Sequence, residues 1–270
     1  MRRLLPETPD VTDLTSLAGL AGAYAYPEPT EHPGRPGSGG PAEPPEPGRP
    51  WLRANMVSSL DGASRLDGLS DGLSSEGDKR IFGVLRALAD VVLVGAQTVR
   101  AEGYRPAKAR AEFAQARAAR GQQPATAIAV VTRSLDLDLD LPLFTEPLVP
   151  TLVITCAGAP ADALSATRKV ADVVIAGEEQ VDLAVAVEAL AERGWTRLLT
   201  EGGPRLLGQL AAAGLLDELC LTLAPLLASG DAPRITNGLA GITQRMDLVS
   251  LLEEKGFLFA RYARSVNSRS

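Results

Sequence analysis

The chain has 270 residues, of which 45% are hydrophobic and 22% are charged, and its formal net charge at pH 7 is −6. These values are typical of a globular protein and exclude wholesale disorder. The acidic balance argues against a duplex nucleic-acid binder, but it leaves room for a local basic pocket that holds a phosphorylated ligand.

The start of the chain predicts neither export nor membrane insertion. Two arginines follow Met1, and Pro6 and Glu7 come soon after, so the apolar stretch of a signal peptide is missing. Further along, no apolar run approaches the roughly 20 residues that a membrane helix requires. We therefore expect a cytoplasmic protein without a membrane partner.

Composition divides the chain into three parts. In residues 1–26, leucines recur at helical spacing after Thr12, a candidate cap, which predicts a short helical or extended segment that docks onto the main body. Residues 27–50 hold Pro, Gly, Glu and Ser with almost no apolar side chain. Such a stretch cannot offset its ordering entropy, so it predicts a flexible linker. Residues 51–270 are then the main domain.

Residues that often carry catalysis or bind metals are scarce. The single histidine, His32, lies inside the Pro/Gly-rich stretch. Ser-His-Asp chemistry and a His-ligated zinc are therefore disfavoured, and we expect no metal site. The two cysteines, Cys156 and Cys220, lie far apart among apolar neighbours, which predicts buried thiols rather than a disulfide.

From Trp51 onward, short apolar strands alternate with amphipathic helices. The first predicted strands are Trp51–Val57, Asp90–Val94, Ala127–Val131, Thr151–Thr155, Val173–Ile175 and Arg197–Thr200. Helical spacing predicts helices around Ile81–Leu88, Leu183–Ala191 and Pro204–Ala213. A strand at Asp217–Ala224 and a hairpin of Arg245–Leu252 with Gly256–Tyr262 complete the pattern. It predicts an α/β fold, with a mostly parallel sheet, helices on both faces and an antiparallel C-terminal edge.

The strongest candidate for chemistry is the stretch 200–204, Thr-Glu-Gly-Gly-Pro, where an apolar strand leads through two glycines into a helix. Glycines let a phosphate approach the backbone, and the free N–H groups at a helix start favour an anion. In open α/β sheets, ligands lie at the carboxyl ends of the strands. The alternative is an ordinary tight turn from strand to helix.

A second candidate follows the strand Asp90–Val94. There Gly95 ends the strand, and Thr98 either contacts a ligand or caps the next helix. The G-x-G-x-x-G pattern is missing here and elsewhere in the sequence, which disfavours a typical Rossmann dehydrogenase.

Two further candidates also follow predicted strands. After the first strand come Ser59 and Asp61, and strand alternation places Asn55 and Met56 on opposite faces. An unremarkable Asp-Gly turn is the alternative there. After the strand Ala127–Val131 come Arg133 and Ser134, a pair that suits a ribose 2′-phosphate better than a free 2′-hydroxyl. A simple surface arginine is the alternative.

Taken in this order, four stretches resemble the reductase domain of the riboflavin-biosynthesis deaminase-reductase and its stand-alone relatives. They are Ser58–Gly62, Gly95–Tyr104, Leu199–Pro204, and Leu216–Leu219 with Ala224-Pro225. The resemblance implies a dihydrofolate-reductase-like fold, bound NADPH and usually a homodimer. In that family a hydride passes from the nicotinamide to the ribosyl C1′ of a phosphoribosylamino-pyrimidine, which opens the sugar to a ribityl chain.

The resemblance also implies roles for individual residues. Those expected to contact the cofactor are Ser59, Gly95, Thr98, Glu201, Gly202 and Gly203, with Arg133 and Ser134 for the 2′-phosphate. Asn55 and Asp61 are expected at the nicotinamide–substrate end, together with Ser59. Asp61, or a water that it holds, is the candidate for delivering the proton that the reaction needs.

Two departures from the family pattern leave the substrate open. The family continues with an acidic-Pro segment followed by Thr and a basic residue, where this chain has the stretch 100–106, Arg-Ala-Glu-Gly-Tyr-Arg-Pro. The zinc-binding deaminase half is absent, so we expect deamination to belong to another protein. The alternatives are a reductase of the same fold acting on a pteridine such as dihydrofolate, and a non-catalytic NADPH-binding protein.

Overall fold

A computed structural model describes residues 1–6, 13–27, 49–238 and 243–265, which include ten strands in one sheet. The strands are β1 (Arg2–Leu5), β2 (Trp51–Ser58), β3 (Val91–Gly95), β4 (Ala127–Val131), β5 (Leu152–Thr155), β6 (Asp172–Ile175), β7 (Arg197–Thr200), β8 (Glu218–Leu223), β9 (Met246–Glu254) and β10 (Phe257–Arg264). The helices are α1 (Leu17–Ala23), α2 (Glu76–Leu88), α3 (Ala96–Ala101), α4 (Ala111–Ala119), α5 (Pro142–Thr145), α6 (Ala161–Thr167), α7 (Leu183–Glu192) and α8 (Pro204–Ala212).

The strands lie in the order β1-β9-β10-β8-β2-β7-β3-β4-β5-β6. All neighbours from β8 to β6 run parallel, whereas β10 pairs antiparallel with both β8 and β9. The predicted mostly parallel sheet with an antiparallel C-terminal end is therefore confirmed. Its outermost strand at that end is β1, which pairs antiparallel with β9.

Helices cover both faces of the sheet, as predicted. Strand alternation divides the apolar side chains between the faces. Val92 and Val94 of β3 pack in one core with residues of α1, α2 and α4, whereas Val91 and Leu93 pack in another with α7 and α8. Because the central strands are buried on both sides, their ends are the places where ligands can reach the sheet.

The N-terminal segment is docked onto the sheet by buried charges. The Arg53 guanidinium, from β2, donates to the Tyr24 carbonyl oxygen at 2.7 Å and to the Glu218 carboxylate at 2.9 Å. Arg261 donates to the same carboxylate at 2.8 Å. Burial by itself raises the pKa of Glu218, but the two guanidinium groups hold it at about 2. With Leu20 in the core, α1 is part of the main body.

The elements α4, α5, α6 and β1 were not predicted, and α4 and β1 have a weak pattern. In α4 only Phe113 and Arg117 are buried, so the helix shows almost no apolar periodicity. The strand β1 has four residues, two of which are arginines. The helix α1 begins after Ser16, whose side chain accepts from the Gly19 N–H at 3.1 Å.

The prediction for the two cysteines is confirmed, whereas several N-terminal predictions fall on residues that the structure does not describe. Cys156 and Cys220 are buried free thiols, as predicted. Thr12, His32 and nearly all of the predicted linker lie outside the described residues. Within the ranges that are described, no helix has the length and apolar character needed to cross a membrane.

Candidate active site

A cavity of about 710 Å³ opens at the carboxyl ends of the central strands β2, β7 and β3. Met56 of β2, Gly95 at the end of β3 and Glu201 directly after β7 line its floor. Its walls come from α2, from the start of α8, and from the segment between α3 and α4. This is the position at which an open α/β sheet binds ligands.

The two predicted glycine stretches meet at this cavity. The Gly95 N–H donates to the Gly202 carbonyl oxygen at 2.8 Å. Gly202 has a φ of +83°, and a side chain there would meet the Met56 sulfur at 3.2 Å. A side chain at Gly203 would meet the Thr98 Oγ1 atom at 2.6 Å. The peptide bond between the two glycines is cis.

Thr98 has no capping role in α3. The N-cap of that helix is Gly95, without a side-chain hydrogen bond, and Thr98 lies inside the first turn. Within the described residues its hydroxyl has no hydrogen-bond partner, and it faces the cavity beside Gly203. The structure thus disfavours the capping alternative and leaves a hydroxyl available to a ligand.

Glu201, the residue before the two glycines, is held by other side chains. Arg86 of α2 donates to both oxygens of the carboxylate, at 2.7 and 2.6 Å, and the Tyr104 hydroxyl donates to Oε2. Burial lowers the pKa of Arg86, but the charge and the hydrogen bonds of Glu201 together outweigh this and raise it above its usual value. The guanidinium also lies over the rings of Phe82 and Tyr104, 4.4 and 5.0 Å from their centroids. Glu201 lines the cavity as half of an ion pair, so a contact with the cofactor stays a prediction.

Ser59 and Asp61 are brought together, but outside the cavity lining. The Ser59 hydroxyl donates to the Asp61 carboxylate at 2.5 Å, and the N–H groups of Ala228 and Ser229 donate at 3.0 and 2.7 Å. These bonds, that from Ala228 first, hold the pKa of Asp61 at about 2. The carboxyl is therefore ionised at neutral pH. Delivery of the proton by Asp61, or by a water that it holds, stays a prediction.

Asn55 lies on the opposite face of β2 from Met56, as strand alternation predicted. It is paired in register with Cys220, whose side chain belongs to the core shared with α1 and α2. Its side chain is half-buried and makes no hydrogen bond within the described residues. Met56, which the sequence analysis did not select, is the β2 side chain that lines the cavity.

Arg133 and Ser134 are not among the residues that line the cavity. Both follow β4, the neighbour of β3, and both are exposed. The Ser134 hydroxyl accepts from the Asp136 N–H at 3.4 Å. In the part of the chain that the structure describes, the Arg133 guanidinium has no partner, so a 2′-phosphate contact stays a prediction.

Comparison with known proteins identifies the family. A family model described as the RibD C-terminal domain matches residues 50–255. The chain belongs to the RibD C-terminal domain family. Two archaeal relatives bear the name 2,5-diamino-6-ribosylamino-4(3H)-pyrimidinone 5′-phosphate reductase. The protein of Archaeoglobus fulgidus is 31% identical over 80% of this chain and 100% of its own length. That of Methanothermobacter thermautotrophicus is 32% identical over 75% and 90%.

A solved structure supports the same assignment. The pyrimidine reductase-like protein of Corynebacterium diphtheriae superimposes with a TM-score of 0.74 and 27% identity, covering 80% of this chain and 92% of its own. The predicted α/β fold, a mostly parallel sheet with an antiparallel C-terminal edge, is thereby confirmed as the fold of this family.

The cavity of this RibD C-terminal domain has a basic lining that was not predicted from the sequence. Seven basic and two acidic side chains line the cavity within the described residues: Arg65, Arg86, Arg105, Lys108, Arg110, Arg117 and Arg205, against Glu102 and Glu201. Arg86 is paired with Glu201, and Arg117 donates to the backbone carbonyls of Ala87, Ala89 and Gln123. The other five have no partner among those residues. One of the five, Arg105, lies in the stretch 100–106 that departs from the family pattern.

Proposed function

We propose that the protein is an NADPH-dependent reductase that converts a phosphoribosylamino-pyrimidine to its ribitylamino form, a step of riboflavin biosynthesis. The observation that carries the proposal is the meeting of Gly95, Thr98 and Gly203 at a cavity over the strand ends. The substrate class is supported by the names of the two archaeal relatives. As the family resemblance implies, we also propose that the protein is a homodimer.

The residues present fit a nicotinamide dinucleotide. At Gly203, a side chain would come within 2.6 Å of the Thr98 Oγ1 atom, so glycine is what lets the Thr98 hydroxyl lie against the turn. The Thr98 hydroxyl is available as a donor, and the adjoining start of α8 favours negative charge. Gly95, Thr98, Gly202 and Gly203 would therefore hold the cofactor's phosphates.

The chemistry that a bound nicotinamide supplies is hydride transfer to the ribosyl C1′ as the sugar ring opens. The protein's task is then to orient two ligands and to exclude water. Arg86 of α2 holds Glu201, the residue directly before the glycine turn, and the Met56 side chain lies close to Gly202. The ring oxygen also needs a proton, which we assign to a water held by the ionised Asp61 rather than to its carboxyl.

The preference for NADPH over NADH rests on Arg133. Its exposed guanidinium follows β4 and has no partner within the described residues, so it is free to pair with a 2′-phosphate. Ser134 adds a hydroxyl beside it.

Turnover assays test the proposal directly. The purified protein would be mixed with NADPH and either the phosphoribosylamino-pyrimidine or dihydrofolate, and loss of the reduced nicotinamide absorbance would be followed. We expect turnover with the pyrimidine and formation of the ribitylamino product. Turnover with dihydrofolate alone would establish the pteridine alternative, and NADPH binding without turnover on either substrate would establish a non-catalytic protein.

A further inference from the structure

The carboxyl end of α2 is packed inside the molecule, where its backbone oxygens cannot rely on water. The last four carbonyl groups of an α-helix have no partner within the helix. A glycine in a left-handed turn often supplies the missing bonds. In α2 the residue after Leu88 is Ala89, which has an extended backbone with a φ of −82°. The partners of these oxygens therefore have to come from other parts of the chain.

Three side chains of α4 and the loop after it donate to all four carbonyl oxygens from residue 86 to residue 89: Arg117, Gln122 and Thr126. Arg117 makes the bonds to Ala87 and Ala89, both at 2.8 Å, and its Nε atom donates to the Gln123 carbonyl oxygen, also at 2.8 Å. As the charged member of the three, Arg117 also complements the negative end of the helix dipole. The end of α2 is thus held by the α4 region.

The helix α4 is anchored by two side chains, and one of them is this arginine. The helix has almost no apolar periodicity, and its buried residues are Phe113 and Arg117, one turn apart. Phe113 packs in the core shared with α2. Arg117 is only 3% exposed, and arginine is rarely buried in this way unless it has partners. The polar half of the anchor of α4 is therefore its hold on the end of α2.

The last turn of α2 carries Arg86, the arginine that holds Glu201. Its guanidinium donates to both oxygens of the Glu201 carboxylate, at 2.7 and 2.6 Å. Such a bidentate pair is specific in its geometry, so it tolerates little change in direction or distance. Glu201 is followed directly by Gly202, whose carbonyl oxygen accepts from the Gly95 N–H at 2.8 Å. A shift of the last turn of α2 therefore moves Arg86 relative to the glycine turn.

We propose that Arg117 is a positioning residue for the glycine turn. By bonding the last carbonyl oxygens of α2, it fixes the direction from which Arg86 reaches Glu201, and so holds the turn in place for the cofactor's phosphates. The inference rests on the proposed function for its effect on the cofactor, whereas the coupling between Arg117 and the turn does not depend on it. Because Arg117 also lines the cavity, direct contact with a ligand is the alternative that the test must exclude.

Fluorescence titration of NADPH measures the effect on the cofactor. Arg117→Lys keeps the charge but replaces the planar guanidinium with a flexible ammonium group, so the end of α2 loses directed bonds. We expect the Kd for NADPH of the folded protein to rise about fivefold, within the usual range for coupled residues. Arg120→Lys is the matched control and should leave the Kd unchanged, since its exposed side chain donates to Ala116 of α4 itself. Thr126→Val, which removes the hydroxyl bonded to the Arg86 carbonyl, should act in the same direction even if Arg117→Lys does not fold.

The same substitution in an Arg86→Lys background separates positioning from direct contact. Lysine keeps a positive charge beside Glu201 but not the two parallel bonds, so the position of α2 no longer reaches the turn through them. We expect Arg117→Lys to change the Kd for NADPH less than about twofold in this background. An undiminished effect would mean that Arg117 contacts the ligand itself. A Kd that stays unchanged in every variant despite a lower melting temperature would mean a purely structural role, and either result overturns the proposal.

Hydrogen exchange tests the coupling without any cofactor. The Gly95 N–H donates to the Gly202 carbonyl oxygen, so its exchange rate reports on the glycine turn. We expect Arg117→Lys to speed the exchange of this amide several-fold more than that of Val92, in the buried strand β3. That result supports the inference even if NADPH does not bind and the proposed function fails. A Gly95 rate that changes only as much as the Val92 rate overturns it.

Discussion

The two walls of the cavity are built by different means. The glycine turn after β7 consists of backbone: the Gly95 N–H donates to the Gly202 carbonyl, and a side chain at Gly203 would clash with the Thr98 hydroxyl. The wall from Tyr104 to Arg110 consists of side chains, held by Glu201 and by α2. The first wall is the proposed site of the cofactor's phosphates. The second carries three exposed cations, Arg105, Lys108 and Arg110.

Glu201 is the residue that joins the two walls, and its loss should have the largest effect. In Glu201→Ala, Arg86 keeps its charge but loses its carboxylate, and Tyr104 loses its acceptor. The side chains of Arg86 and Glu201 are 20% and 5% exposed. We expect the free energy of unfolding to fall by about 3 kcal/mol, the lower end of the range for breaking a buried ion pair. Urea unfolding measures it.

Glu201→Gln serves as the control for charge. It keeps one carbonyl oxygen that can accept from Tyr104 and from Arg86 Nη2, so we expect a smaller loss of stability than for Ala. Equal losses in the two variants would show that the charge of Glu201, rather than its hydrogen bonds, accounts for the stabilisation.

Gly202→Val changes the glycine turn and leaves the side chains of the other wall as they are. With φ at +83° and Met56 3.2 Å from the added carbon, valine should cost about 1–3 kcal/mol of stability through strain. If the turn also holds the cofactor's phosphates, the Kd for NADPH of the folded protein should rise at least about tenfold. The matched control is Gly194→Val, at a φ of +79° with open space around it. There we expect strain without any change in NADPH binding. If the Gly202→Val protein is destabilised yet binds NADPH normally, the turn does not hold the cofactor's phosphates.

The difference between the walls also explains what sequence reasoning found. Two glycines between an apolar strand and a helix are a local signal, because the turn that they make follows from the neighbouring residues. The sheet was predictable for the same reason: alternation and helical spacing are local, and the bounds of β4 and β7 agree with those expected. The strand β1 and the role of Tyr104 depend on partners 97 or more positions away in the sequence, such as Glu201 and β9. No local pattern records such contacts.

Arg133→Ala tests whether this arginine gives the protein its preference for NADPH over NADH. We expect the wild type to bind NADPH at least about tenfold more tightly than NADH, about 1.4 kcal/mol, through the 2′-phosphate. The variant should bind the two equally, with its Kd for NADH unchanged, because the glycine turn contacts only groups that both cofactors share. Fluorescence titration gives all four constants, and Arg168→Ala, an exposed arginine at the end of α6, is the control. If the wild type already binds NADPH and NADH with equal dissociation constants, Arg133 does not recognise the 2′-phosphate.

The smallest expected effect lies at Asp61, which ties the loop at Ala228 and Ser229 to the end of β2 through an ionised carboxylate. Its pKa of about 2 lies below the ordinary 3.8 because the charged form accepts these hydrogen bonds. The stabilisation is therefore complete above the unfolded-state pKa and disappears as pH falls through the folded-state value, between about pH 4 and pH 2. Asp61→Asn keeps one acceptor oxygen but does not titrate. Since Glu218 titrates equally in both proteins, the difference between their unfolding free energies isolates Asp61. Urea unfolding at stepped pH should show that difference constant near neutrality and shrinking below about pH 4; a difference that persists unchanged to pH 2 would mean that the carboxylate charge does not hold the loop.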